Sequence, residues 1–353
     1  MITSAEQITP QWLTTRFQQK GYLSKGTATD VHIGETFEST AAFLTPLKVT
    51  YSLEAENLPH SHLIFKQYRK EWFGGGIAES AFFNEIAAHT PEPPIFHCYD
   101  VAYDPSTQYC YFLFEDASVT HAKDPPKAEA FTIELYKQII DELLKFHTHW
   151  WEHPRISQDD FLRGRGGPLR MIDAATPEII QRDCQNWRGI QLPRFADTFQ
   201  DEFSQEMYIF ARRAIDNWEG LYIDRIRDGK HLTLLHGDLH RWNIFYPKNP
   251  SIHGLYFLDW ETYKRGIGPY DLCYLVGWEA SERRREIERD LLRYYYQGLV
   301  SDGILGYSWE DCVYDYRLSA IATLFPAIGW RRSFEFENQR VRFEDWDCHE
   351  LLD

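Results

Sequence analysis

The residues best suited to chemistry lie in two short stretches. His236-Gly237-Asp238-Leu239-His240-Arg241-Trp242-Asn243 is a polar loop, entered from Leu234-Leu235 and left through Ile244-Phe245. Sixteen residues past Asn243, Asp259-Trp260-Glu261 emerges from the apolar run Phe257-Leu258. One loop thus offers a carboxylate and an amide, and a nearby strand end offers a second carboxylate. Phosphoryl transfer from a metal-bound nucleotide needs such a set. One carboxylate orients the attacking hydroxyl and can take its proton, while an amide oxygen and a second carboxylate hold magnesium against the phosphates. Magnesium prefers hard oxygen ligands and usually takes only one or two from protein. The expected catalytic positions are Asp238, which acts on the hydroxyl, and His236, which holds the loop behind it. Asn243 and Asp259 are the expected metal ligands. His240 either touches substrate or phosphate or stabilises the loop. Glu261 is either a third acid on the metal side or a solvated residue.

The order His-x-Asp-x-x-x-x-Asn followed by Asp is that of the kinase catalytic loop and its metal-binding acid. Here it reads His-Gly-Asp, not His-Arg-Asp, and Asp-Trp-Glu, not Asp-Phe-Gly. In that form it resembles the aminoglycoside phosphotransferase and choline kinase-like family of small-molecule kinases, from about Leu23 to beyond Tyr316. The resemblance implies an α+β, bilobal protein-kinase-like fold. An N-terminal lobe, residues 1–116, would hold a small antiparallel β-sheet with one main helix and bind the nucleotide. A larger, mainly helical lobe, residues 117–353, would carry catalysis and the acceptor. ATP and Mg2+ are the implied cofactors, and a small-molecule hydroxyl is the implied acceptor. The resemblance also implies that Glu115-Asp116-Ala117 is a hinge whose backbone hydrogen-bonds adenine, and that Asp271, before Leu272, braces the catalytic loop. Two rival readings stand beside it: a kinase-like protein that binds nucleotide without turnover, and a protein kinase. Only eleven residues lie between Asp259 and Asp271, and no Ala-Pro-Glu follows, which leaves no room for a long activation segment.

The elements that must position these groups can be read in turn. Thr9-Pro10 caps and opens a helix with Leu13, Phe17 and Tyr22 as its buried side, stopped at Gly21. From Val31 to Tyr68 the apolar period is two, which predicts three antiparallel strands, with Leu47, Val49, Tyr51 and Leu53 on one face of the second. Lys66 shares a strand face with Ile64 and, in the kinase plan, reaches the α- and β-phosphates. Its carboxylate partner is predicted in the next helix. Glu79 is preferred to Glu85, because Glu79 shares a side with Phe82 and Phe83 at helical spacing. The turn that would cover the phosphates lacks Gly-x-Gly-x-x-Gly, so Ser39 and Thr40 are the candidates there. Tyr109 to Phe114 reads as a buried strand. A helix is predicted from about Lys127, with Phe131, Leu135, Ile139, Leu143 and Leu144 as its apolar stripe. His147 and His149 close it and read as structural or substrate-side residues. Residues 152–200 read as irregular, with a flexible loop at Arg163-Gly164-Arg165-Gly166-Gly167-Pro168. Helix resumes from Phe203 to Arg227. After the catalytic loop, Ile244-Phe245-Tyr246 and Leu255 to Leu258 form a hairpin across a Pro-Lys-Asn-Pro turn. Glu282 to Asp353 reads as helical and aromatic-rich.

Composition narrows the partners. The 353 residues allow two lobes with sizeable cores. A net charge of −16, from 53 acids and 37 bases, argues against nucleic acid as partner. With 12 Trp it suits a cationic or amphipathic acceptor held by cation–π contact. Six cysteines lie far apart, as buried reduced thiols rather than a zinc or redox motif. The first residues have no signal-peptide pattern, and no run nears the ~20 apolar residues that cross a bilayer. A cytoplasmic protein with no membrane partner is therefore expected.

Overall fold

Thr9 accepts a hydrogen bond from the Trp12 amide and caps helix α1, Pro10–Gln19, while Gly21 at φ +77° turns the chain away. The structure, a computed structural model, describes residues 1–123, 131–157, 176–249, 251–252 and 254–352. It divides into two compact units. The first takes the described residues of Met1–Pro126 and Phe245–Glu261, and the second those of Lys127–Gly164, Leu169–Ile244 and Thr262–Asp353.

In the first unit the three predicted strands are β1 (Ala28–Ile33), β3 (Ala42–Tyr51) and β4 (His62–Tyr68), with a short β2 (Phe37–Glu38) paired to β3. Leu53, expected in the second of them, lies beyond its end and is fully exposed. Helix α2 (Phe73–Ala81) follows, then β5 (Cys98–Asp104), which the sequence reading omitted, and β6 (Tyr109–Glu115). The sheet is antiparallel, in the order β1-β3-β4-β6-β5. Leu13 and Phe17 of α1 join Leu47, Val49, Leu63, Phe65, Tyr111 and Leu113 in one core. Gly76 of α2 meets Cys110 and Tyr68 on the other face. β6 is covered on both faces, which is why it reads as an unbroken apolar run. A second sheet joins β7 (His121–Ala122), β9 (Ile244–Pro247) and β10 (Tyr256–Phe257), so the predicted hairpin forms and gains a third strand.

Two helical expectations change. The helix read around Glu79 to His89 starts earlier, at Phe73, and loosens into a π turn over Phe82–Ile86. The helix expected from Lys127 is α3, Ile133–Trp150, capped by the Thr132 side chain on the Leu135 amide. Phe131 precedes it, and residues 127–130 lie outside the described residues, as does the Arg163 to Pro168 loop. Residues 176–200, read as irregular, hold α4 (Pro177–Asn186) and α5 (Leu192–Thr198) around a π turn at Trp187–Gln191. α6 runs Gln205–Ile226. β8 (Thr233–Leu235) pairs with β11 (Lys264–Gly266), and α7 (Pro269–Val276) follows. α8 (Ser281–Ser301), α9 (Trp309–Ala322), α10 (Leu324–Gly329) and α11 (Ser333–Asp345) complete the second unit. No described helix is long and apolar enough to cross a membrane.

The second unit carries an ionic cluster in its core. Glu288 on α8 is 2% exposed and Arg342 on α11 is fully buried. Arg342 Nε donates to Glu288 Oε1 at 2.6 Å, and Tyr316 does so at the same length. Arg284 and Trp346 donate to the other carboxylate oxygen at 3.0 and 2.8 Å. Burial alone would raise the Glu288 pKa, but Arg342 and Arg284 reverse this and hold it below its usual value. A depressed folded-state pKa gives stability that is present above the unfolded value, near 4.5, and is lost as pH falls through the folded value. Glu288→Gln strands the arginines and should cost about 3–5 kcal/mol. Denaturant melts at neutral pH should show the loss, and the variant should lack this part of the acid-induced decline.

Candidate active site

In the first unit the strand period sends Lys66 inward with Ile64. Lys66 Nζ is 2.7 Å from Glu79 Oε2 and 3.3 Å from Asp259 Oδ1. Burial alone would favour a neutral lysine, but Glu79, Asp259 and Glu261 outweigh it and keep Lys66 protonated. Glu79 is 2% exposed, whereas Glu85 is exposed. The α2 face that packs inward therefore carries the partner. Tyr68, two residues on from Lys66, donates its hydroxyl toward Glu79 at 2.9 Å and Glu261 at 3.0 Å. Burial, and then the Asp259 charge, pushes the Glu261 carboxyl up to about 7. Glu261 is thus tucked under α2, and Gly75 makes the room. A Cβ on Gly75 would stand 2.1 Å from Glu261 Oε2.

Asp259 differs from its two neighbours. Its side chain is 51% exposed, and its backbone sits at φ +58°, a left-handed conformation that Asp tolerates better than most residues. Such backbones cluster at functional sites, held by the surrounding structure. Beside this group opens a cavity of about 290 Å³. Leu44, Pro46, Ile64, Phe96, Phe114, Phe245 and Leu258 supply its apolar walls, and Lys66, Glu79 and Asp259 lie along it. Glu115 and Ala117 line it too. The Glu115 and Asp116 amides donate to the His97 and His62 carbonyls, each at 2.9 Å. Ser39 borders the cavity, with its amide and hydroxyl both engaged to Ala42 in the β2–β3 turn. Thr40 is exposed on that turn.

The second unit holds the stretch from His236 to Asn243. Asp271 on α7 accepts from the amides of His236 at 2.6 Å and Gly237 at 2.9 Å. His147 Nε2 lies 3.3 Å from it, and His147 Nδ1 is 2.7 Å from the Tyr295 hydroxyl. Burial would raise the Asp271 pKa, but His147, His236 and the Gly237 amide reverse this and keep it ionised. His147 and Asp271 are thus architectural. His236 is fully buried, and its Nδ1 is 3.3 Å from the Asp238 amide. Asn243 donates from Nδ2 to the Asp238 carbonyl at 3.1 Å and to Asp238 Oδ2 at 3.2 Å. His240 Nε2 is 3.7 Å from the same carboxylate. Gly237 stands at φ +85°, and a Cβ there would meet the Thr262 carbonyl oxygen at 2.4 Å. Gly237→Ala must therefore shift the loop. On the expectation that Asp238 acts on a substrate hydroxyl, a displacement near 1 Å should cost about 10²-fold in kcat and leave nucleotide affinity unchanged.

Sequence reasoning missed Tyr274. It lies one turn past Asp271 on α7, near enough to Asp238 for that carboxylate to act on its hydroxyl. Burial, and then the Asp238 charge, holds its pKa well above the usual value, so it remains a donor. The available signal was the i,i+3 spacing from Asp271.

A model described as the ecdysteroid kinase-like family matches residues 83–303. A curated relative, Protein LicA homolog of Mycoplasma capricolum subsp. capricolum, is 35% identical over 81 residues. The chain spans about a third of that relative's length, 32%, and the match takes up 23% of this chain. Among solved structures, a candidate aminoglycoside phosphotransferase of Ralstonia eutropha JMP134 aligns with a TM-score of 0.51 at 15% identity. That alignment covers 96% of this chain and 97% of the other. Choline kinase of Cryptosporidium parvum Iowa II gives 0.52 at 12% identity, covering 91% and 90%. These likenesses show an α+β, protein-kinase-like fold, as the sequence resemblance implied.

Proposed function

We propose that this chain, which belongs to the ecdysteroid kinase-like family, is a small-molecule kinase that moves the γ-phosphate of ATP to a hydroxyl group. The observation that carries the reading is the cavity in the first unit: apolar walls wide enough for a base, with a charged Lys66 held by Glu79 and an outward Asp259. Adenine takes the apolar part, against the carbonyl of Glu115 and the amide of Ala117. Lys66 neutralises the α- and β-phosphates, and Glu79 fixes the ammonium in place. Ser39 and Thr40 border the phosphates through the β2–β3 turn.

Magnesium fits the donors present, which are hard oxygens: the Asp259 carboxylate and the Asn243 amide oxygen, whose amide nitrogen is held by Asp238. When bound it would neutralise charge on the β- and γ-phosphates. Asp238 orients the acceptor hydroxyl and takes its proton as the oxygen attacks the γ-phosphorus, and ADP leaves. His236 and Asp271 hold the loop that carries it.

Titration with a non-hydrolysable ATP analogue tests the reading, followed by labelled-ATP transfer to a panel of alcohols. Magnesium-dependent binding and transfer to at least one alcohol are expected. Failure of the analogue to bind with magnesium present overturns it.

A further inference from the structure

A second cavity, of about 280 Å³, lies wholly within the second unit. Tyr274, which feels the Asp238 charge, and Trp242, four residues past Asp238, are two of its walls. Under the kinase reading, the cavity therefore begins where the proposed proton acceptor ends. From there aromatic rings run on without a break. His240 is 5.3 Å from Trp278 between ring centres, and Trp242 is 5.1 Å from Trp278 at right angles. Glu335 lines the same cavity. Aromatic faces beside a carboxylate ordinarily attract an ammonium group.

That position is already filled. The Arg332 guanidinium stands 5.5 Å from the Trp278 ring centre and 5.9 Å from Trp330, and its Nη1 is 2.7 Å from Glu335 Oε1. The other polar walls are committed elsewhere. Asn338 donates to the carbonyls of Gly277 and Glu279, and Gln339 bonds Gly277 and Thr323. They shape the cavity rather than read a ligand. We propose that this cavity is the acceptor pocket and that Arg332 is its charge selector: a tethered cation occupies the aromatic–carboxylate seat, so the pocket takes an uncharged alcohol with an apolar face and turns cationic alcohols away. A guest cation must displace a group on the same chain, whose effective concentration is far above that of the guest. Removing Arg332 bares both the Trp278 face and the Glu335 carboxylate.

The test compares choline with its neutral isostere 3,3-dimethyl-1-butanol, titrated by tryptophan fluorescence and calorimetry into the full chain. The wild type should bind the neutral alcohol at least about fivefold tighter. Arg332→Ala should raise choline affinity about tenfold or more, leave the neutral alcohol within about threefold and reverse the ranking. Arg332→Lys restores a tethered cation and should keep the wild-type order. The Arg332 side chain is 47% exposed, and an unchanged melting temperature would establish that the variants fold. Choline affinity that does not rise in Arg332→Ala overturns the selector. Binding of neither probe to either protein overturns the pocket. Nucleotide titration into the wild type reads the first unit separately, so failure of the ATP analogue to bind there counts against the kinase reading alone.

Discussion

Asp238→Asn should lower kcat by about 10²–10⁴-fold, the range lost when a positioned proton acceptor is removed, while the affinity for magnesium–nucleotide stays within about twofold. The substitution keeps the side chain's shape. Asn243, Tyr274 and the neighbouring His240 still face an oxygen at that position, so the loop keeps its braces at Asp271. What disappears is the charge proposed to align the hydroxyl and accept its proton. Nucleotide affinity should hold because the cavity walls, Lys66, Glu79 and Asp259 belong to the other compact unit. The measurement is ADP release with an alcohol found in the acceptor panel, set beside a direct nucleotide titration. Turnover at the wild-type rate would remove Asp238 from its role. Equal loss of turnover and nucleotide affinity would point to a damaged fold instead.

How much of this could be read in advance depends on where each residue's reason lies. His236, Asp238 and Asn243 are legible because they share one short stretch and their types suit the proposed chemistry. Lys66 and Glu79 are legible because strand and helix periods say which way each points, and the ion pair at 2.7 Å joins those two faces. Tyr274 is invisible until Asp271 is known to lie beneath the loop, since one helical turn then carries the phenol to Asp238. Gly75 reads as one of three glycines in a row. Its reason is a carboxylate far along the chain, which would meet a Cβ at 2.1 Å. α5 carries Pro193, a residue type that ordinarily breaks a helix. In the first turn of a helix, however, its missing N–H costs nothing. The π turn at Phe82–Ile86 has no composition of its own, and tertiary packing sets it. The wall of the second cavity comes from the catalytic loop, α7 and the chain around α11, so no local window contains it.

Asp259→Asn should produce a crossover. With magnesium present, nucleotide affinity should fall by about 10- to 100-fold, the scale of a damaged metal site, and kcat should drop with it. With magnesium chelated, the variant should bind free ATP as well as the wild type or better. The sign follows from the charges. Glu79, Asp259 and Glu261 all act on one lysine; Glu79 is buried and Glu261 half-buried. Of the three, only Asp259 is exposed, its side chain at 51%, so it is the carboxylate placed to meet a cation carried in by the phosphates. Without that cation it repels a triphosphate, and Asn does not. The backbone at φ +58° should survive, because Asn tolerates the left-handed region as readily as Asp does. A purely structural role predicts a different pattern: affinity lost equally with and without magnesium, accompanied by a lower melting temperature. Calorimetric titration of both proteins, at saturating magnesium and in excess chelator, separates the two. Parallel loss in both conditions would remove Asp259 from the metal and leave Lys66 and Glu79 as the phosphate-binding pair.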